Sequence, residues 1–214
     1  MNWLSRLLSD RADVSSLDTA LRETLSQWHM LRAPDLSKSH FETRYVVVNT
    51  EATGASVTRD RLLSVAAIAI NRELVVPAES IHASLEPDPA TALTNLLTFV
   101  GNDPVVVFNS AFNRKMLEHA FSQHLGIDPE WTWIDLYWVL GALFPVMPAH
   151  GARLAEWMRL FDIETFQRHH ALGDAFAVAQ LMLAVQAKAR ARGLYTPKSL
   201  SELEQKIRRE PGQQ

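Results

Sequence analysis

The chain has 214 residues, 47% of them hydrophobic and 21% charged, and a formal net charge of -3. Length and composition predict one globular domain with appendages, or at most two small domains, and exclude a chain disordered by composition. It contains no cysteine, so disulfides and thiolate chemistry are excluded and a cytoplasmic location is the expectation.

No apolar run approaches the roughly 20 residues that cross a bilayer, so no membrane partner is expected. The opening residues 1–8 carry Arg6 inside a short apolar patch and lack a small-residue cleavage site, which makes a poor secretory leader. The slightly acidic balance gives no overall attraction to phosphates. Nucleic acid would have to be held by a local patch or through metal ions.

In chain order, Leu17, Leu21, Leu25, Trp28 and Leu31 recur at helical spacing, which predicts an amphipathic helix capped by Ser15 or Ser16 and ended by Pro34. Its apolar stripe is expected to pack across the domain's own sheet, the other use being docking of a protein partner or a second copy. Residues 32–43 read as a linker. The β-branched run from Tyr45 to Val48 is a strand that wants burial, and it ends in polar residues and a turn at Gly54. Strand alternation puts Asn49 and Glu51 on one face and Thr50 on the other.

Residues 61–70, 74–76 and 80–85 continue as an antiparallel meander, closed by Pro87 and Pro89. Thr91–Val100 reads as a helix stopped by Gly101, and Pro104–Phe108 as a short apolar strand. Asn109 then stands where a helix cap belongs, opening a helix that runs from Ala111 to about His124. Residues 131–138 read as a short aromatic strand passing into a helix that ends near Phe144. Leu154, Trp157, Met158 and Phe161 mark another helix, and Leu172–Ala189 a last one that is apolar nearly all round and therefore buried between layers. This order predicts an α/β fold, a mixed sheet flanked by helices. The expected organisation is 1–43 as N-terminal helical extension and linker, 44–192 as the main domain, and 193–214 as a charged, helix-like C-terminal tail with a frayed end.

Three stations place polar residues at strand ends or helix starts: Asn49-x-Glu51, Asn109-x-x-x-Asn113, and His169-x-Ala171-Leu172-x-Asp174. On a continuous helix, His169 and Asp174 would point about 140° apart. His169 must therefore lie in the preceding loop and fold over the helix start if the two are to cooperate.

Taken together these stations resemble the DnaQ-like 3'-5' exonucleases of the DEDDh pattern, over a stretch from about Tyr45 to Ala189. Asn49-Thr-Glu-Ala-Thr-Gly54 is similar to the family's Asp-x-Glu-Thr-Thr-Gly, and Phe108-Asn-Ser-Ala-Phe-Asn113 to its second motif. Arg168-His-His-Ala-Leu-Gly-Asp-Ala175 is similar to its third, His-x-Ala-Leu-x-Asp-Ala. The resemblance implies a ribonuclease H-like fold and hydrolysis of nucleic-acid 3' ends, DNA or RNA, by two divalent cations, Mg²⁺ or Mn²⁺, about 3.5 to 4 Å apart.

Carried over residue by residue, Glu51 and Asp174 would be metal ligands, His169 the general base, and Thr53 and Asn109 substrate-binding residues. Asn49 and Asn113 stand at the metal positions where the family has aspartates. Two carboxylates then face four positive charges, and an amide oxygen adds no charge and does not bridge two ions. Weak metal binding and weak or impaired hydrolysis are expected, the alternative being an inactive exonuclease-fold module that binds nucleic acid or a protein. The family's longer clasp between the meander and the next helix is reduced here to Glu86-Pro-Asp-Pro-Ala90.

The remaining candidates have plainer readings. His29, His40, His82, His119 and His124 match no motif and are expected at the surface or in the core, and His150 precedes a helix in a structural or groove role. Lys188, Arg190 and Arg192 suit a helix C-terminus. The tryptophans read as core residues.

Overall fold

The computed structural model describes residues 17–57, 59–145, 152–167 and 170–209. Among these, helix α1 spans Thr19–His29, and strands β1, β2 and β3 span Tyr45–Ala52, Leu62–Asn71 and Leu74–Ser84. Helix α2 (Pro89–Val100), strand β4 (Val105–Val107), helix α3 (Ser110–Leu125), strand β5 (Trp133–Asp135) and helix α4 (Leu136–Leu143) follow. Helices α5 (Leu154–Leu160), α6 (Ala171–Arg190) and α7 (Pro197–Arg209) complete the order.

The five strands form one mixed sheet in the order β3-β2-β1-β4-β5, as the meander and the later alternation predict. β1, β2 and β3 pair antiparallel, and β1, β4 and β5 run parallel. The stretches 74–76 and 80–85 form the third strand of the meander, β3, which stays paired across a bulge opposite Ile68 and Ala69.

Alternation along β1 sorts its side chains between two cores. Tyr45 and Val47 join the layer formed by α4 and α6, while Val46 and Val48 join the layer formed by α2 and α3. The same parity carries to the polar end of the strand. Asn49 and Glu51 therefore continue the row that faces α6, and Thr50 the row that faces α3.

Several expectations are corrected. Helix α1 is capped by Asp18, whose carboxylate accepts from Leu21 N at 2.8 Å, and it ends at His29, well before Pro34; Ser15 and Ser16 lie outside the described residues. The helix packs on α2 rather than on the sheet, with Leu25 buried and Trp28 Nε1 donating to Gly101 O at 3.0 Å. Helix α2 begins two residues earlier than its apolar spacing shows, because Asp88 caps it and Pro89 fits the first helical position. The charged segment read as helix-like is helical as expected, but as α7 it is not a loose tail and packs against β5 and α4 through buried Leu200, Glu204 and Ile207. One face of α7 is apolar and the other charged, and composition alone registers only the charge.

Residues 32–43 are likewise anchored. His40 is buried, its Nδ1 lying 2.6 Å from the Tyr45 hydroxyl and its Nε2 3.2 Å from Leu194 O. A carbonyl cannot donate, so Nε2 carries the proton and Nδ1 accepts from tyrosine.

Candidate functional site

The C-terminal ends of the parallel strands open onto a cleft of about 720 Å³, lined by Asn49, Glu51, Asn109, Asn113 and Asp174 among others. Such strand ends, where chain connections diverge, are where open α/β sheets place their ligands. The three stations separated in sequence thus meet at one place. Thr53 does not line this cleft. It closes the β1–β2 loop, its N–H donating to Arg61 O and its hydroxyl to Asp60 Oδ1.

Glu51 and Asn49 reach the cleft from the α6 side of β1. Asn49 Nδ2 donates to Ala171 O at 3.5 Å, tying the strand end to the first turn of α6. Ser64, paired with Glu51 across the ladder, donates to Glu51 Oε2 at 3.4 Å. The other oxygen, Oε1, is buried and accepts no hydrogen bond among the described residues. A buried carboxylate oxygen left in that state is costly, and a cation or a donor from a ligand would relieve the cost.

Asp174 is the only acidic residue in the first turn of α6, where the helix dipole favours a negative charge. The loop before α6 crosses that first turn, with Thr165 Oγ1 donating to Gly173 O at 2.8 Å. A Cβ on Gly173 would collide with Gln167 O, so only glycine admits the crossing. His169 itself lies outside the described residues, as does His150. His170 stands at the N-cap position without capping the helix, its ring 4.8 Å from that of His82 on β3.

Asn113 enters from the other side of β1. Its Oδ1 accepts from Thr50 N at 3.0 Å and from Thr50 Oγ1 at 2.8 Å, and its Nδ2 donates to Phe108 O at 2.9 Å and Asn109 O at 3.4 Å. The direction of each bond fixes the amide's orientation, because the backbone N–H must meet the oxygen and the carbonyls must meet the nitrogen. Both acceptor positions and both donors are engaged. The residue is 5% exposed and joins the end of β1 to the start of α3.

Among the described residues no three histidine or carboxylate side chains gather as a metal-binding group, and the two carboxylates of the cleft carry charge for one dication and not for two. Glu51, Asp174 and the Asn49 amide face the cleft together, while the Asn113 oxygen already holds two hydrogen bonds.

Asn109 stands at the N-cap of α3 in a left-handed conformation, φ 68° and ψ 72°, and its side chain makes no cap bond. Asparagine tolerates this region better than most residues. The cap comes instead from Asp135 at the end of β5. Its Oδ1 accepts from Asn109 N and Tyr137 N, and its Oδ2 from Ser110 N and an Arg208 guanidinium nitrogen at 3.2 Å. One carboxylate, 1% exposed, thereby caps both α3 and α4.

Helix α7 completes the arrangement: Glu204 Oε2 accepts from Asp135 N at 2.8 Å, and Arg208 also reaches Ser110 Oγ at 2.8 Å. Burial pushes the Glu204 carboxyl up, against the lowering effect of the Asp135 N–H and the Arg208 charge. Sequence reading missed Asp135, Glu204 and Arg208. An aspartate ending an apolar strand just before a helix, together with an i,i+4 Glu-Arg pair, was the available signal.

The basic residues near the end of α6 have partners within the chain. Arg190 pairs with Glu73, Arg192 donates to Ala142 O at 2.8 Å, and Lys188 lies 5.8 Å from the Phe144 ring centroid.

No family model matches the chain. It is 25% identical over 183 residues to the PolC-type DNA polymerase III of Bacillus subtilis (strain 168), covering 75% of this chain and 13% of that protein. It is 28% identical over 172 residues to the protein of the same name from Oceanobacillus iheyensis, covering 69% of this chain and 12% of the relative. The chain thus spans a small part of the curated relatives it matches.

Among solved structures, Exonuclease X in complex with 5'-overhanging duplex DNA superposes with a TM-score of 0.56 at 14% identity, over 75% of this chain and 99% of that one. The zinc-bound E. coli ExoI–ssDNA complex gives 0.54 at 18% identity, over 70% and 42%. The fold is that of these exonucleases, and the relatives bear out the resemblance to the DnaQ-like 3'-5' exonucleases.

Proposed function

We propose that this chain, carrying an exonuclease fold, binds the single-stranded 3' end of a nucleic acid in the Asn49–Glu51–Asp174 cleft and hydrolyses it weakly. DNA and RNA both fit the reading. The observation that carries it is the state of Asn113. At the position where the family has a metal-binding aspartate, this chain has an amide committed to holding β1 against α3.

In this reading Glu51 and Asp174 hold a divalent cation, Mg²⁺ or Mn²⁺, with the neutral Asn49 oxygen beside them. A bound cation would polarise a phosphoryl oxygen of the scissile phosphodiester. The buried Glu51 oxygen supports a ligand at this point. By resemblance, His169 takes a proton from the attacking water, and Asn109, on the cleft wall, contacts the terminal nucleotide. The second reading, a binding module without turnover, rests on the same amide and on the shortened 86–90 connection.

The test is a 5'-labelled single-stranded oligonucleotide incubated with equimolar protein and Mg²⁺ or Mn²⁺. The expected result is retained binding in EDTA and slow, metal-dependent shortening that Glu51→Ala abolishes. Absence of shortening with binding intact selects the second reading. Absence of binding to both DNA and RNA overturns both.

A further inference from the structure

The β1–β2 loop separates the cleft from a second cavity of about 370 Å³, and Leu63 lines both. Arg59 and Arg61 come to this cavity from the loop, Glu86 from the end of the meander, and His119, Gln123 and His124 from α3. We infer that it is a phosphate subsite, taking a backbone phosphodiester of the strand whose 3' end lies in the neighbouring cleft. The inference rests on the reading of that cleft as a nucleic-acid site.

The physical case is one of guanidinium and imidazole donors gathered in a concave place whose two carboxylates, Asp60 and Glu86, already have partners within the chain. Asp60, the nearest carboxylate, is committed to the loop: Oδ1 accepts from Thr53 Oγ1 and Oδ2 from Ser56 N at 2.7 Å. A Cβ on Gly54 would come within 2.7 Å of the same carboxylate, which shows how closely the loop is wrapped on it. Glu86 is the only other acidic lining residue. It pairs with Arg61 at 3.6 Å with both side chains about three-quarters exposed (76% and 75%), a pairing that water and an incoming anion readily replace.

The two histidines add to this. Burial and the neighbouring His119 hold the His124 imidazole below the usual histidine range, against the pull of Glu86. An anion seated here would meet the His119 and His124 ring nitrogens as well as the two guanidiniums. Guanidinium forks and imidazole N–H groups are suited to phosphate oxygens. Leu63, 39% exposed on the rim between the cavities, offers an apolar surface to a sugar or base passing from one to the other.

The subsite therefore recognises a strand long enough to cross the loop and not a terminal nucleotide alone. Fluorescence anisotropy with 5'-fluorescein dT2 and dT10 in EDTA separates the cases. The double variant Arg59→Ala, Arg61→Ala is expected to bind dT10 about tenfold more weakly and dT2 unchanged. Its log K against log salt slope should be shallower by about 0.7 for each phosphate that the variant no longer neutralises. The double change His119→Gln, His124→Gln should weaken dT10 binding in the same direction and leave dT2 unchanged.

A double variant that binds dT10 with unchanged affinity and salt slope overturns the subsite while leaving the cleft reading intact. Loss of dT2 and dT10 binding in the unmodified chain overturns the cleft reading and the subsite with it. Competition of dT10 by inorganic phosphate at millimolar concentration, equal in the arginine variant and the unmodified chain, also counts against the subsite. The substituted arginines are exposed, so matching thermal unfolding of variant and parent is expected.

Discussion

Asn113 has four hydrogen bonds to three different residues, and an aspartate in its place could keep only half of them. In Asn113→Asp the carboxylate still accepts from Thr50, but it cannot donate to Phe108 O or Asn109 O. Two carbonyls lose their donor, at a cost of about 1–3 kcal/mol. Reduced thermal stability is expected, and the double change Asn49→Asp, Asn113→Asp should speed metal-dependent shortening of the oligonucleotide only if that loss is absorbed. Chemical denaturation alongside the oligonucleotide assay checks both.

Gly173→Ala acts at the same scale. Its methyl group meets Gln167 O, so the loop before α6 must lift, with a destabilisation of about 1–3 kcal/mol measurable by urea unfolding.

His40 gives a pH dependence whose sign follows from burial. Its folded-state pKa is lowered chiefly by desolvation, so the unfolded chain takes up the proton first, near the ordinary value of about 6.5. The stabilising contribution is full above that value and drains away as the pH falls towards the folded-state pKa. Thermal midpoints recorded from pH 8 to pH 5 should fall on the acid side, and His40→Gln should flatten that limb.

At the scale of elements, α7 is part of the support for the second motif. Its Glu204 and Arg208 hold Asp135, and Asp135 holds the left-handed Asn109 and the start of α3. Replacing Asp135 by asparagine removes a buried charge from Arg208 and turns an acceptor into a donor facing a backbone N–H or the guanidinium. A loss of about 3 kcal/mol is expected, with faster hydrogen exchange at the amides of Asn109, Ser110 and Tyr137.

Helix α1 is attached differently, through Leu25 and the Trp28 bond to Gly101, a carbonyl that also accepts from Trp131 Nε1 at 2.9 Å. Apolar spacing identified that helix and its inward residues Leu21, Leu25 and Trp28, while Leu31 lies beyond its end and is exposed. The surface it packs on could not be read from the same spacing, since an apolar stripe fits a helix or a sheet equally well.

For the whole molecule, local rules determined a great deal. The run 45–52 alternates, so its parity assigns Asn49 and Glu51 to one layer and Thr50 to the other. The apolar periods and glycine and proline stops gave the order of strands and helices, and through it the mixed sheet. These are properties of neighbours within a few residues, and the sequence holds them explicitly.

Tertiary structure decided the partners. Thr50 meets Asn113, Asp135 meets Asn109 and Arg208, and His40 meets Leu194, across separations of 63, 26, 73 and 154 residues. Each is a polar contact formed only because the fold brings segments remote in sequence together and removes them from water, where an unpaired group is costly. Residue identity gives an amide at 113; the packing around it decided that this amide is fully engaged.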